Sequence, residues 1–255
     1  MHDLQKASMW KRASAWLFDL IVFATVITIV VIPLSILLKY DEKVDTVDKI
    51  EEKYRDMLIM DGLDPDISSS DFDALPKEVQ DRYREIDDLR AKDEGLGIGY
   101  AIITNIITAL VFVSIFITYM ILEFVLPMCL KNGQTIGKKI FGIGVVHSNC
   151  VRFKGQSCFI RAMIGKCAIE TMVPVFLVMM ILFGNLGLTG AIVLILLAIL
   201  EIYAICSSKT RSAIHDLISD AVVVDLASQM IFEDHDQLMA YKNKVHSEAV
   251  EKADY

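Results

Sequence analysis

Six ionisable side chains sit in stretches that are otherwise almost wholly apolar: Asp19, Glu123, Arg161, Lys166, Glu170 and Glu201. Charges are costly in hydrocarbon-like surroundings, so each invites a chemical role. Two roles fit these residue types. A carboxylate in low dielectric holds its proton more tightly and can exchange it for a cation, which makes Asp19, Glu123, Lys166, Glu170 and Glu201 a candidate ion or proton path. Arginine, by contrast, stays charged and grips carboxylates with two nitrogens, so Arg12 and Arg161 could instead neutralise Asp19, Glu123 and Glu201 in a structural layer that fixes helix packing. The structural layer is the favoured reading. Lys166 and Glu170 are four apart, which on an α-helix puts them on one face, where they can pair. Arg12 and Asp19 are seven apart, two turns along one helix. Each is therefore expected to meet a partner from another segment, with Asp216 a candidate for Arg12.

Other chemistries fit less well. His215-Asp216 suggests hydrolysis, but no serine or cysteine nucleophile context accompanies it, and a neighbouring pair is not a catalytic geometry. His147, Cys150 and Cys158 are irregularly spaced for zinc. Gly133 and Gly137 have three residues between them, and Lys138 is followed by Lys139, which rejects a phosphate-binding loop. Asp64 to Ser70 alternates oxygen-bearing residues as a calcium loop does. However, Ser69 and Leu75 stand where the required glycine and glutamate belong. No enzyme activity, cofactor or metal is expected.

The elements that must position these residues are long and apolar. The chain has 255 residues, 54% of them hydrophobic, and the apolar ones fall into blocks. Ala13 to Leu38, Gly97 to Leu126, Phe159 to Phe183 and Leu186 to Cys206 each reach the roughly 20 residues that a helix needs to cross a bilayer. Open strands are excluded there, because unpaired backbone groups in lipid are too costly. The expected fold is an all-α membrane protein: a four-transmembrane-helix bundle with an extracytoplasmic helical hairpin insert. Residues 1–40 form the N-terminus and first span, 41–96 the insert, and 97–126 the second span. A basic link with an interfacial helix follows over 127–158, with lysines at the headgroups. Residues 159–183 and 186–206 are the third and fourth spans, and 207–255 a C-terminal segment and tail.

Basic residues set the orientation. Lys6, Lys11 and Arg12 precede or open the first span. Lys131, Lys138, Lys139, Arg152 and Lys154 lie in the second link, and Lys209 and Arg211 follow the fourth span. These segments are expected to be cytoplasmic, with both termini inside. Residues 39–96 hold 19 acidic and 10 basic side chains, a balance of −9, which places them outside and accounts for the overall charge of −8. That sign argues against nucleic acid as a partner. The first apolar run is longer than the core of a cleavable signal and reads as a retained span. None of the five cysteines lies in the external segment, so no disulfide framework is expected.

Within the insert, Val44, Val47, Ile50, Tyr54 and Met57 recur at helical spacing, as do Leu75, Val79, Ile86 and Leu89. Gly62, Pro65 and Ser68 to Ser70 mark a turn between two helices, with Pro76 expected in the first turn of the second. Ile143 to His147 alternates weakly, as a short strand would. Met230, Ile231, Leu238, Met239 and Val245 give the tail a rough helical stripe.

Asp19 lies about five residues inside its span, Glu123 about three from the end of its own, Glu201 about five and Arg161 about two. At about 1.5 Å per residue all four fall roughly 4–9 Å from one interface, in one polar layer. Lys166 and Glu170 lie deeper.

Three segments resemble the RDD family of membrane proteins, named for an arginine and two aspartates. Lys11-Arg-Ala-Ser-Ala-Trp-Leu-Phe-Asp19 is similar to the first, with Arg12 and Asp19 as the motif pair. Asn132 is followed by Gly133-Gln134-Thr135-Ile136-Gly137-Lys138, and then by Gly142 and Val145-Val146, which is similar to the interfacial signature. The segment from Arg211 to Val224 supplies the second aspartate, Asp216, and Arg161 matches a recurrent family arginine. Where family members usually carry a small residue and threonine before the closing valines, this chain has Asp220 and Ala221. The acidic insert looks like an addition to the family core. The resemblance implies a multi-pass protein of a bacterial or archaeal cytoplasmic membrane, with Arg12, Asp19, Arg161 and Asp216 as a polar network. It implies no single activity, although sodium/proton exchange has been attributed to at least one member. The favoured function is a non-enzymatic accessory or scaffolding subunit whose partners are the lipid bilayer and other membrane proteins or a second copy of itself. The alternative is a monovalent cation (Na+ or K+)/proton antiporter. No internal repeat supports an inverted-repeat transporter.

Overall fold

The computed structural model describes residues 4–130, 133–208, 210 and 212–253. Lys131, Asn132, Lys209 and Arg211, used above for orientation and motif, lie outside the described residues. Among the described residues, four helical stretches are long and apolar enough to cross a bilayer: Met9–Leu37, Glu94–Leu130, Gly155–Leu182 and Gly187–Ser207. They overlap the four apolar blocks and extend some of them at the ends. Many of their large apolar side chains are exposed, among them Ile29, Ile36, Leu188 and Ile195. In water such surfaces would drive association, whereas lipid accommodates them. The protein is an all-α membrane protein with one small sheet added.

The chain divides into two compact units. One, Ile29–Ser114, contains the acidic hairpin with the adjoining ends of two spans. Helix α1 (Met9–Leu37) ends two residues before Lys39, whose left-handed backbone forms the N-cap of α2 (Tyr40–Met60). Ser68 caps a short α3 (Ser69–Ala74), its hydroxyl accepting from the Asp71 N–H. Pro76 occupies the N-cap of α4 (Lys77–Ala91) rather than a place within its first turn, so this helix begins later than expected from sequence. The serine run is therefore a helix start as well as a turn, because serine serves best where an end N–H needs an acceptor.

Helix α2 packs on α4 through Val47, Tyr54 and Ile86, joined by Leu96. On the second stripe Tyr83 is buried while Leu89 is 47% exposed, so the buried face is rotated from the one inferred. Arg90 meets Glu51 at 2.7 Å and Arg82 meets Asp61 at 2.6 Å across the hairpin, and the Tyr54 hydroxyl donates to Asp93 at 2.7 Å. In the turn, Arg55 pairs with Asp66, and the Asp64 side chain accepts from the Asp66 N–H.

The other unit comprises residues 1–28 and 115–255. Helix α5 (Glu94–Tyr119) runs into a π-helical segment, Met120–Val125, and then α6 (Leu126–Leu130). The link contains α7 (Ile136–Ile140) and β1 (Ile143–His147). Helix α8 (Gly155–Phe159) opens a second π segment, Ile160–Met172, which continues as α9 (Val173–Leu182). Helix α10 (Gly187–Ser207) is followed by α11 (Ile214–Ile218), β2 (Ala221–Asp225) and α12 (His235–Ala253). The weak alternation at Ile143 does mark a strand. Its antiparallel partner, β2, was not foreseen. Val145, Val146, Val222 and Val224 are almost fully buried, which explains why β2 shows no alternation: both of its faces are covered. On α12, Leu238 packs with Cys150 and Phe232.

Ile86 is 1% exposed at the centre of the hairpin core. Ile86→Ala is expected to destabilise this unit by about 2–5 kcal/mol. Limited proteolysis of the detergent-purified chain should then cut the 61–76 turn faster, while cleavage within 133–225 stays unchanged.

Candidate functional site: a charged chamber among the spans

A chamber of about 710 Å³ opens in the second unit described, lined by Arg12, Asp19, Glu123, Lys138, Arg161, Lys166, Glu170, Glu201, His215 and Asp216. Apolar and aromatic walls complete it, including Trp16, Phe23 and Tyr119. Phe23 packs edge-on against Tyr119 at 5.0 Å, and the Tyr119 hydroxyl lies 2.7 Å from Thr171 Oγ1.

The backbone that carries four of these residues is not ordinary α-helix. Glu123 belongs to the first π segment, and Arg161, Lys166 and Glu170 to the second. Each segment closes on an i to i−5 bond: the Leu126 N–H donates to Ile121 O, and the Val173 N–H to Ala168 O. A proline follows in each case, Pro127 four residues after Glu123 and Pro174 four residues after Glu170. Proline has no N–H for the carbonyl four residues back, and its ring crowds that carbonyl, so the helix widens there. Widened turns of this kind recur at functional sites. The sequence signal was available, since Glu-x-x-x-Pro occurs in both spans.

Arg161 and Asp216 form the buried centre, with side chains 4% and 2% exposed. Arg161 Nε donates to Asp216 Oδ1 at 2.7 Å. Arg12 approaches the other Asp216 oxygen at 3.8 Å. Burial raises the Asp216 pKa, but Arg161 and His215 outweigh it and hold the carboxyl well below the usual range. Lys166 Nζ donates to Glu123 Oε1 at 2.6 Å, and Arg161 Nη1 lies 4.0 Å from Glu123 Oε2.

Asp19 takes no arginine among these contacts. Its carboxylate accepts from the Thr135 hydroxyl at 2.5 Å and from the Gly137 N–H at 2.7 Å, which ties α1 to the start of α7. Thr135 in turn accepts from the Lys138 N–H as the N-cap of α7. Gly137 is required by contact rather than by conformation: a Cβ there would lie 2.3 Å from the Ala15 carbonyl oxygen. The Gln134 side chain donates to Ile143 O at 3.0 Å. Gly133 and Gly142 have positive φ, 59° and 65°, and turn the chain into and out of α7.

The Lys166–Glu170 pair inferred from i,i+4 spacing is not formed. Lys166 turns to Glu123, and Glu170 turns to His215, accepting from its backbone N–H at 2.7 Å with Nδ1 at 2.7 Å. The inference assumed 3.6 residues per turn, and the π segment removes that geometry. Likewise the arginines neutralise Asp216 and stand near Glu123 rather than gripping Asp19 or Glu201. Glu201 lies beside Glu170 and His215. Sequence reasoning placed Thr135 in the interfacial motif but not against Asp19, and it did not count His215 among the site residues. His215 is brought in because Gly165 lets α11 approach: a Cβ on Gly165 would lie 2.6 Å from His215 Cβ.

Among the polar atoms that line the chamber, Glu123 Oε2, Lys138 Nζ and Glu201 Oε2 are buried with no hydrogen-bond partner among the described residues. The Lys138 ammonium is pushed down to about 7 by burial first and then by Arg161 and Lys166, against the opposing pull of Glu123 and Asp19.

The RDD family profile matches residues 6–220. The chain belongs to the RDD family. The matched range contains Arg12, Asp19 and Asp216, the residues that meet through the ion pairs and the α7 cap. No curated protein and no solved structure matches the chain.

Asp216→Asn keeps the shape and removes the charge, leaving Arg161 buried without its counter-ion. Loss of one partner of a buried pair costs about 3–5 kcal/mol. The Asp216 pKa is depressed in the folded state, so its contribution is present above the ordinary carboxylate value and fades as pH falls toward the folded value. Denaturant unfolding in detergent should show Asp216→Asn well below the parent at pH 7, with the gap narrowing below pH 4.

Proposed function

We propose that this protein spans a bacterial or archaeal cytoplasmic membrane, with both termini in the cytoplasm, and exchanges a monovalent cation for protons at the charged chamber. The observation that carries the exchange reading is the cavity of about 710 Å³ that reaches Glu170 and Glu201, with Asp19, Glu123 and Lys138 on the same walls. A layer serving packing alone is expected to close on itself, as Arg161–Asp216 and Lys166–Glu123 do. Glu201 Oε2 and Lys138 Nζ instead stay unpartnered, and leaving such groups buried is costly unless water or an ion completes them.

Lys138 gives the proton side of the exchange a defined group. Below pH 7 its ammonium adds positive charge to the chamber and opposes a cation, and above pH 7 the neutral amine does not. Exchange therefore rises as pH rises through about 7. The accessory reading retains the ion pairs as structural clamps but requires no flux.

In proteoliposomes with an imposed proton gradient, sodium or potassium is expected to drive proton movement, rising through about pH 7. Glu170→Gln should abolish it while the protein remains monodisperse, and Lys138→Met should remove the rise. Absence of cation-dependent flux in the parent protein would return the function to an accessory role.

Orientation is checked separately. Ser70 is exposed in the hairpin turn. Ser70→Cys should react with a membrane-impermeant maleimide in intact cells, and Cys129 and Cys206 only after lysis.

A further inference from the structure

Glu170, Glu201 and His215 come from the second π segment, α10 and α11, and their oxygen and nitrogen ligand atoms lie within 4.8 Å of one another. We propose that these three residues bind one divalent transition-metal ion. One imidazole with two carboxylates is a donor set for zinc, manganese, iron or cobalt rather than for alkali ions, which prefer oxygen alone.

Three features of the geometry support the site. First, Glu201 Oε2 is shielded from solvent and has no hydrogen-bond partner among the described residues, so one lone-pair donor of the triad is already aimed at nothing. Second, His215 is held from several sides. Its backbone N–H donates to Glu170 Oε1 at 2.7 Å, and its ring Nδ1 stands 2.9 and 2.7 Å from the two Glu170 oxygens. Its Nε2 lies 3.2 Å from Asp216 Oδ1 and from Arg161 Nη2. A carboxylate on the far nitrogen of a ligating histidine is the usual outer support of a metal site, since it fixes the ring and leaves the near nitrogen for the ion. Third, all three residues line the chamber, so a fourth position faces open volume where water can complete the coordination.

Coordination bonds of about 2.0–2.2 Å set donor atoms about 3–3.5 Å apart, so the 2.7 Å Glu170–His215 contact must open slightly and separations of up to 4.8 Å must close by up to about 1.3–1.8 Å. Side-chain rotation of Glu201 supplies this: its unpaired Oε2 loses no partner in moving, and the backbone hydrogen bond that the carboxylate takes from Ile214 holds it at the same place in the fold. The RDD aspartate Asp216 then acts twice: it anchors Arg161 directly, and it orients His215 as a positioning residue.

Metal binding and flux both draw on Glu170 but are read by independent measurements. Metal binding without flux would overturn the exchange reading alone, and flux without metal binding would overturn this proposal alone. The full chain, purified in detergent, freed of affinity tag and stripped with EDTA, is titrated with Co2+ and then Zn2+. One equivalent of Co2+ per chain is expected to bind with a visible d–d band, and Zn2+ to displace it. Glu201→Gln should weaken binding at least tenfold and Glu201→Asp by less, whereas His147→Asn, outside the triad, should leave it unchanged. Lack of saturable binding would overturn the proposal, as would equal affinity in the parent, Glu170→Gln and Glu201→Gln proteins. Should the glutamate variants fail to fold, pulsed EPR of the unmutated Cu2+-loaded chain decides. Modulation from a single imidazole nitrogen supports the site, and its absence overturns it.

Discussion

The buried pair between Arg161 and Asp216 is the contact on which the surrounding geometry depends. It joins the start of the third span to the short α11 that follows the fourth. Two charges this deep in low dielectric are tolerable only together, with their remaining hydrogen-bonding capacity used. Arg12 supplies part of that by approaching the second Asp216 oxygen, and His215 faces the first. One aspartate thereby gathers α1, the second π segment and α11. Once α11 is fixed, β2 follows it directly and pairs with β1, and β1 follows α7.

Asp19 works at the opposite side of the same link. It stabilises the buried N-terminal end of α7, where backbone N–H groups lack helical partners, with a charge of the favoured sign. Gly137 makes that approach possible by having no side chain to collide with Ala15. Arg12, Asp19 and Asp216 are thus not one cluster. They are two anchors, an ion pair and a helix cap, that hold the link and the C-terminal segment against the spans.

The two π segments change what the spans can present. A regular helix would repeat its faces every 3.6 residues and turn some of these charges toward lipid. Widening at Met120–Val125 and Ile160–Met172 is followed by prolines that withhold a hydrogen bond from Glu123 and Glu170. The charged residues of both segments come to line one chamber. The cost is a weaker backbone ladder, and the gain is a chamber of about 710 Å³ whose walls include four carboxylates from the spans, one interfacial lysine and an imidazole. In that volume most charges are mutually neutralised, whereas Glu201 Oε2 and Lys138 Nζ are not. Any ligand of the chamber is expected to be recognised by those two atoms.

Sequence by itself determined the membrane location, the four spans, the helical hairpin and the family, because each depends on local quantities. Apolar length, a 3.6-residue stripe and a motif such as Gly133 to Lys138 can be read without knowing what packs where. The partners of the charges could not be read that way. Lys166 looked paired with Glu170 on helical spacing, yet a π segment redirected both. Asp19 looked like an arginine partner, yet a backbone N–H and a threonine hydroxyl hold it. β2 was hidden because burial on both faces erases alternation, and His215 because its approach depends on a glycine fifty residues earlier in the chain. Tertiary structure alone decided which carboxylates are neutralised and which remain open. That outcome depends on distances of 2.7 against 4.0 Å between atoms from different elements, and no spacing along the chain encodes them.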